Sequence, residues 1–255
     1  MLTPDLAELL TVGFISALVI SVLGGIVSGA VGFGFALVVV PPMLLVYEPA
    51  TVVAISIMLS IVTGWVVLPG ATSHIRWNSV LWLMPWAIIG ILVGAQLQHV
   101  LRPSHVSLIA SIAVILFSLA LTRGWKPPGA ASPIADTVAG SLSGILNSLT
   151  GMAGPPVALL FEARDYGVNA FRTSIVAYFM VIDVVALAVL IQQQIIGRPQ
   201  LQAAALLVPT AMIGSFIGRR LSAIIPVPLF RRIVLWLLVL TGVVGIVRAI
   251  SEIVG

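Results

Sequence analysis

Sorting the chain into hydrophobic and polar positions gives apolar runs at about 9–31, 33–47, 50–69, 79–101 and 105–122. A second set follows at about 134–149, 153–161, 169–196, 200–218 and 233–250. The runs are continuous rather than alternating, so they predict membrane helices and not the strands of a barrel. Two are too short to cross. The run from Ala153 to Phe161 has nine residues before Glu162, roughly 14 Å of helix, about half a hydrocarbon core. The 33–47 run has fifteen. Both predict re-entrant or incomplete helices whose tips end inside the protein.

Composition agrees with this pattern and narrows the class. Of 255 residues, 60% are hydrophobic and 8% charged, with a mean hydropathy of +1.21. That leaves too little polar surface for a soluble domain, so the expected fold is an all-α polytopic membrane protein. No polar stretch is long enough to fold separately, and residues 1–255 read as a single transmembrane domain. The net charge of +4 is too small to suggest nucleic acid; scattered loop arginines serve better as topology signals. Without cysteine there is no disulfide framework and no thiolate chemistry. The acidic start, MLTPDLAELL, lacks a basic n-region and argues against a cleaved signal peptide.

The chain divides at 123–133, RGWKPPGAASP, a loop rich in Pro, Gly and charge. Residues 1–122 and 134–255 on either side look related. Gly25 and Gly32 are seven apart, as are Gly144 and Gly151, and P-x4-G-x3-G recurs at Pro85, Gly90, Gly94 and at Pro209, Gly214, Gly218. Two landmarks in the same order mark an internal repeat. Basic residues then set orientation. If each broken pair dips in and returns, or crosses twice, one side collects Arg76, Arg123, Lys126, Arg164, Arg172, Arg219, Arg220, Arg231 and Arg232. The other keeps Arg102, Arg198 and Arg248. If each pair crosses once, the split is seven against five. The positive-inside rule favours nine against three, with the N-terminus outside and an odd number of segments per half. The halves are then inverted, an architecture that places a transporter's site near the midplane at the repeat interface.

The interruptions carry the candidate chemistry. GILNSLTGMAGPP, Gly144–Pro156, holds glycines, prolines and hydrogen-bonding side chains amid apolar sequence, and GIVSGAVGFGFALVVVPP, Gly25–Pro42, echoes it. Irregular backbone survives in a membrane only where it is buried in protein or lines a wet cavity. A helix starting there offers amide hydrogens without intrahelical partners and the positive end of its dipole, a site for an anion. The expected substrate-binding set is Ser28, Gly32, Phe33 and Gly34 from the first break. The second break adds Asn147, Ser148, Thr150, Gly151, Gly154 and Pro155, and the helix after it Arg172. Pro155 or Pro156 suits a first helical turn, where a missing N–H matters least. The competing reading is that Gly and Pro here only allow kinks and tight helix crossing.

These motifs, LTGMAGPP above all and G-x-G with its apolar run to Pro41, resemble the TauE/SafE family of sulfite and organosulfonate exporters, and the resemblance covers nearly the whole chain. It implies transport of a small sulfur oxyanion or sulfonate, usually outward, in the inner (plasma) membrane of a bacterium. Phe35 and Ala36 stand where that family's first repeat often continues with glycines, which implies a narrower or more apolar pocket.

Other residues invite both functional and plain structural readings. Asp183, in YFMVIDVVAL, is an acid in an apolar helix: a proton-coupling candidate or a structural hydrogen-bond partner. Arg172 either meets the ligand or snorkels to the inner surface. Ser56, Ser60 and Thr63 share one helical face, which borders the pathway or bonds to its own backbone. Gly90/Gly94 and Gly214/Gly218 read as close packing, and Trp77, Trp82 and Trp125 as interface anchors. His74, His99 and His105 have no ligand spacing, so neither a metal nor another cofactor is expected. No Ser–His pair or acidic cluster suggests an enzyme. The expected partners are a small anion and the lipid bilayer, without nucleic acid, and an oligomer is left open. The alternatives are an anion channel, an uptake permease for a small organic anion, and an accessory or structural subunit.

Overall fold

A computed structural model describes residues 12–68 and 72–221, together with 243, 246 and 247. Among them every regular element is helical. The chain runs α1 (Val12–Val31), α2 (Phe35–Met43), α3 (Pro49–Val67), a 3₁₀ turn (Thr72–His74), α4 (Trp77–Val100), α5 (Pro103–Thr122), α6 (Pro133–Thr150), α7 (Gly154–Ala163), α8 (Val168–Gln192) and α9 (Arg198–Leu221). Six of these, α1, α3, α4, α5, α8 and α9, are long and apolar enough to cross a membrane. The predicted run at 233–250, with Arg231, Arg232 and Arg248, falls almost wholly outside the described residues, as does the acidic start of the chain.

The elements follow the apolar runs closely, and local chemistry explains their ends. Ser132 caps α6: its hydroxyl accepts from the Ala135 amide at 3.3 Å, and Pro133 follows at the first helical position. The 169–196 run ends as helix at Gln192, because Gln194 adopts φ 60° and turns the chain before Arg198. The short runs become short helices. α2 has nine residues and α7 ten, roughly 14–15 Å each. α2 folds back along α1, since a Cβ on Gly24 would meet Val39 and Phe35, and one on Gly34 would meet Val27. The first broken pair is therefore a helical hairpin.

Glycine sets the main packing seams. A side chain on Gly90 or Gly94 would run into the α6 backbone at Ser141 and Ile145, and one on Gly140 or Gly144 into the α4 backbone at Leu83 and Ala87. Across the molecule, Gly25 and Gly29 abut Ala211 and Ser215 of α9, while Gly214 and Gly218 abut Val22 and Ile26 of α1. Higher numbers meet higher numbers in both seams, so α4 runs parallel to α6, and α9 to α1. Between lipid-covered helices there is no hydrophobic force to add, and close backbone approach supplies the dispersion contact that holds them. At the centre α3 meets α8 in the opposite sense: Gly64 lies against Met180 and Val176, and Ser60 beside Asp183.

One end of these helices gathers the charge. Arg164 pairs with Asp136 at 2.8 Å and donates to the Ala130 carbonyl. Lys126 meets Asp165, the Arg76 guanidinium lies over the Tyr166 ring, and Tyr166 shares a hydrogen bond with Ser79. Arg219 donates to the Val66 carbonyl at the end of α3.

Candidate functional site

The two breaks come together. Gly32 and Gly34 take φ of +92° and +96°, and Gly151 takes +74°, all in the left-handed region that a Cβ disfavours. At Gly32 the flank is closed as well, because the Arg172 side chain stands where a Cβ would project. Gly151 ends α6, its amide donating to the Asn147 carbonyl at 2.7 Å. One cavity touches both breaks. It is lined by Ser28 and the segment 32–37 on one side, by Gly151, Ala153, Gly154 and Pro155 on the other, and by Ser60, Gly64, Val176, Phe179 and Asp183 between. Its volume is about 30 Å³, on a measure where one water needs roughly 10–15 Å³. That holds a group of a few heavy atoms, the size of a sulfite or sulfonate head.

The helix tips supply unequal donors. α2 begins after Gly34 with no side-chain cap, so the amides of Phe35, Ala36 and Leu37, all cavity-lining residues, have no partner within their helix. α7 begins Gly154-Pro155-Pro156, also without a side-chain cap, so its first turn holds the Gly154 amide alone. The first break is thus the richer in amide hydrogens, although the second is the richer in polar side chains. Both N-termini add the positive end of a helix dipole.

Of the residues expected from sequence, Ser28, Gly32, Phe33, Gly34, Gly151, Gly154, Pro155 and Asp183 line the cavity. Asn147, Ser148, Thr150 and Arg172 do not. Asn147 is fully buried and donates through Nδ2 to Asp183 Oδ1 at 2.9 Å. Ser148 and Thr150 bond back to their own helix, at the carbonyls of Gly144 and Leu146. Arg172 donates to the Gly29 carbonyl at 2.5 Å, at the C-terminal end of α1 where a cation is favoured. Their polarity was visible in the sequence, but the helical phase that turns Ser148 and Thr150 onto their own helix, Asn147 onto Asp183 and Arg172 onto the back of Gly32 was not. Leu37, Ser60, Gly64, Ala153, Val176 and Phe179 were missed as lining residues. Only Ser60 carried a signal, through the face it shares with Ser56 and Thr63. That face divides its work: Ser56 donates to the Gly151 carbonyl at 2.9 Å, Thr63 accepts from Ser28 at 3.3 Å, and Ser60 faces the cavity. Among the described residues no group of His, Asp and Glu is clustered as metal ligands would be.

Against this geometry stands a family match over most of the chain. The model described as "Sulfite exporter TauE/SafE" covers residues 17–244. This chain belongs to the TauE/SafE family. It is a membrane transporter of that family, with several helices able to cross the bilayer. Its relatives include the "Probable sulfite/organosulfonate exporter TauE" of Cupriavidus necator, 27% identical over 231 residues, 86% of this chain and 88% of that protein. The "Probable inner membrane transporter protein TsaS" of Comamonas testosteroni is also 27% identical, over 171 residues, 66% of this chain and 72% of that one. No solved structure gives a significant match.

Proposed function

We propose that this TauE/SafE protein carries a small sulfur oxyanion or organosulfonate outward across a bacterial inner membrane, binding it in the cavity between the two breaks. The observation that carries the reading is the α2 tip. Three amides without intrahelical partners border a cavity that Asp183 also borders, with no lysine or arginine among its lining residues. Neutral donors suit an ion that must leave as readily as it enters, because they replace its hydration without a formal charge to hold it. The names carried by the Cupriavidus and Comamonas relatives support the substrate class and the inner membrane.

Asp183 supplies a proton partner in this reading. An ionised carboxylate opposes an anion in the same small cavity, whereas the neutral acid does not and adds a donor. Anion binding and protonation of Asp183 then favour each other, and Asn147 keeps the carboxyl oriented. A carrier moving anion and proton together follows. We further read residues 1–122 and 134–255 as inverted repeats within one transmembrane domain. The exchange of packing partners (α1 with α9, α6 with α4) supports this, as do the senses of the seams. The arginine-rich end is the cytoplasmic one by the positive-inside rule, which puts the N-terminus outside.

Proteoliposomes test the proposal. Purified protein should give saturable, counterflow-competent flux of sulfite or of one of thiosulfate, sulfoacetate and isethionate, with carboxylate analogues weaker. Absence of flux for every sulfur anion beside robust carboxylate flux overturns the substrate class. Flux without saturation or counterflow makes the protein a channel.

A further inference from the structure

Two carbonyl groups at the second break bear on what its amides can do. The Ala153 carbonyl accepts from the Ser143 hydroxyl at 2.6 Å, and the Tyr178 hydroxyl donates in turn to Ser143 at 2.9 Å. The Gly151 carbonyl accepts from Ser56. Ser143, Tyr178 and Ser56 are each fully buried, and none of them lines the cavity, whereas Gly151, Ala153 and Gly154 do. The hydroxyls therefore hold these carbonyls from behind the cavity wall. In a trans peptide the C=O of one residue and the N–H of the next point in opposite directions across a rigid plane. Holding the Ala153 oxygen on the side of Ser143 turns the Gly154 N–H the other way. Because Pro155 and Pro156 have no amide hydrogen, that N–H is the whole donor complement of the α7 first turn.

We infer that the Tyr178–Ser143 relay is a positioning device for the anion site: by fixing the Ala153–Gly154 peptide it aims the Gly154 amide at the ligand and keeps the carbonyl dipole away from it. Ser56 acts in the same sense on the Gly151–Met152 peptide. The inference rests on the anion-binding reading above. It adds residues to the site that lie outside the cavity and act on it through the backbone. Tyr178→Phe leaves Ser143 without its donor, and Ser143→Ala removes the hydroxyl that the buried Ala153 carbonyl accepts from, which loosens the hold that keeps this oxygen away from the cavity. A carbonyl there repels a ligand in proportion to the ligand's charge.

That proportionality separates positioning from simple damage. Full-length wild type, S143A, Y178F and S143T in detergent are titrated by calorimetry with sulfite, doubly charged in mildly alkaline buffer, and with methanesulfonate, singly charged. Expected for S143A is an affinity loss of about tenfold or more for sulfite, the size of one charge-assisted hydrogen bond, and a clearly smaller loss for methanesulfonate. Y178F should show the same ordering with smaller losses, and S143T, which keeps the hydroxyl, should stay within about threefold of wild type. Equal losses for the two anions, or none, overturn the positioning role while leaving the anion site intact. Failure of wild type to bind either anion both here and in mildly acidic buffer, where a neutral Asp183 no longer opposes the ligand, removes the site itself. If S143A does not fold, the ordering in Y178F, which only deletes an oxygen, decides.

Discussion

Asp183 and Asn147 show how a residue's role turns on its partner. An acid in an apolar helix and an amide near a break read separately in sequence, one as a proton carrier or a structural hydrogen-bond partner and the other as an anion ligand. In the structure they are joined by the 2.9 Å hydrogen bond between them, and only Asp183 reaches the cavity. Two predictions belong at this scale. With Asp183 as proton partner, anion affinity rises as pH falls through the range where the carboxyl is protonated, and lost negative charge removes that dependence. Asp183→Asn should therefore flatten the pH profile of flux, and a profile matching wild type rejects the role. Asn147→Ala should act through Asp183, moving the pH profile and weakening binding by about tenfold or less. A loss of anion affinity with no movement of the pH profile would instead make Asn147 a direct ligand.

At the scale of elements, the short helices and their glycines set the geometry. Gly154 starts α7 with its α-carbon facing the Phe179 ring, where a Cβ would already sit in tight contact. Gly154→Leu should abolish flux by filling the cavity, with folded protein still recovered from the membrane; normal flux would remove Gly154 from the site. Gly144 and Gly218 are different, since each faces a backbone carbonyl across a seam, of Ala87 and Ile26 respectively. Backbone cannot swing aside as a ring can. Gly144→Val or Gly218→Val should lower stability by roughly 1–3 kcal/mol or more, read as a lower unfolding temperature in detergent, and unchanged stability would argue that the seams are loose. The short lengths of α2 and α7 were legible in the sequence from the spacing of glycine and proline. Which helix each glycine faces was not, because a small residue signals close approach without naming its partner.

For the molecule as a whole, the apolar runs determined the placement of the helices among the described residues, and the basic residues marked which joints share a face. Arg76, Lys126, Arg164 and Arg219 do gather at one end. A chain without native cysteine lends itself to a direct test of sidedness. A single cysteine at Asp165 should be labelled only from the cytoplasmic side of intact cells, and one at Gln194 only from outside. The reverse pattern overturns the proposed orientation.

The sequence by itself determined the membrane class, the two interruptions, the glycines they require and the family, because hydropathy, proline and left-handed backbone are local properties. Tertiary structure alone decided which polar groups face the cavity and which are held by carbonyls behind it. A side chain's direction depends on helical phase and on the neighbour it meets: the same hydroxyl that borders the cavity at Ser28 serves, at Ser143, to hold the backbone of Ala153.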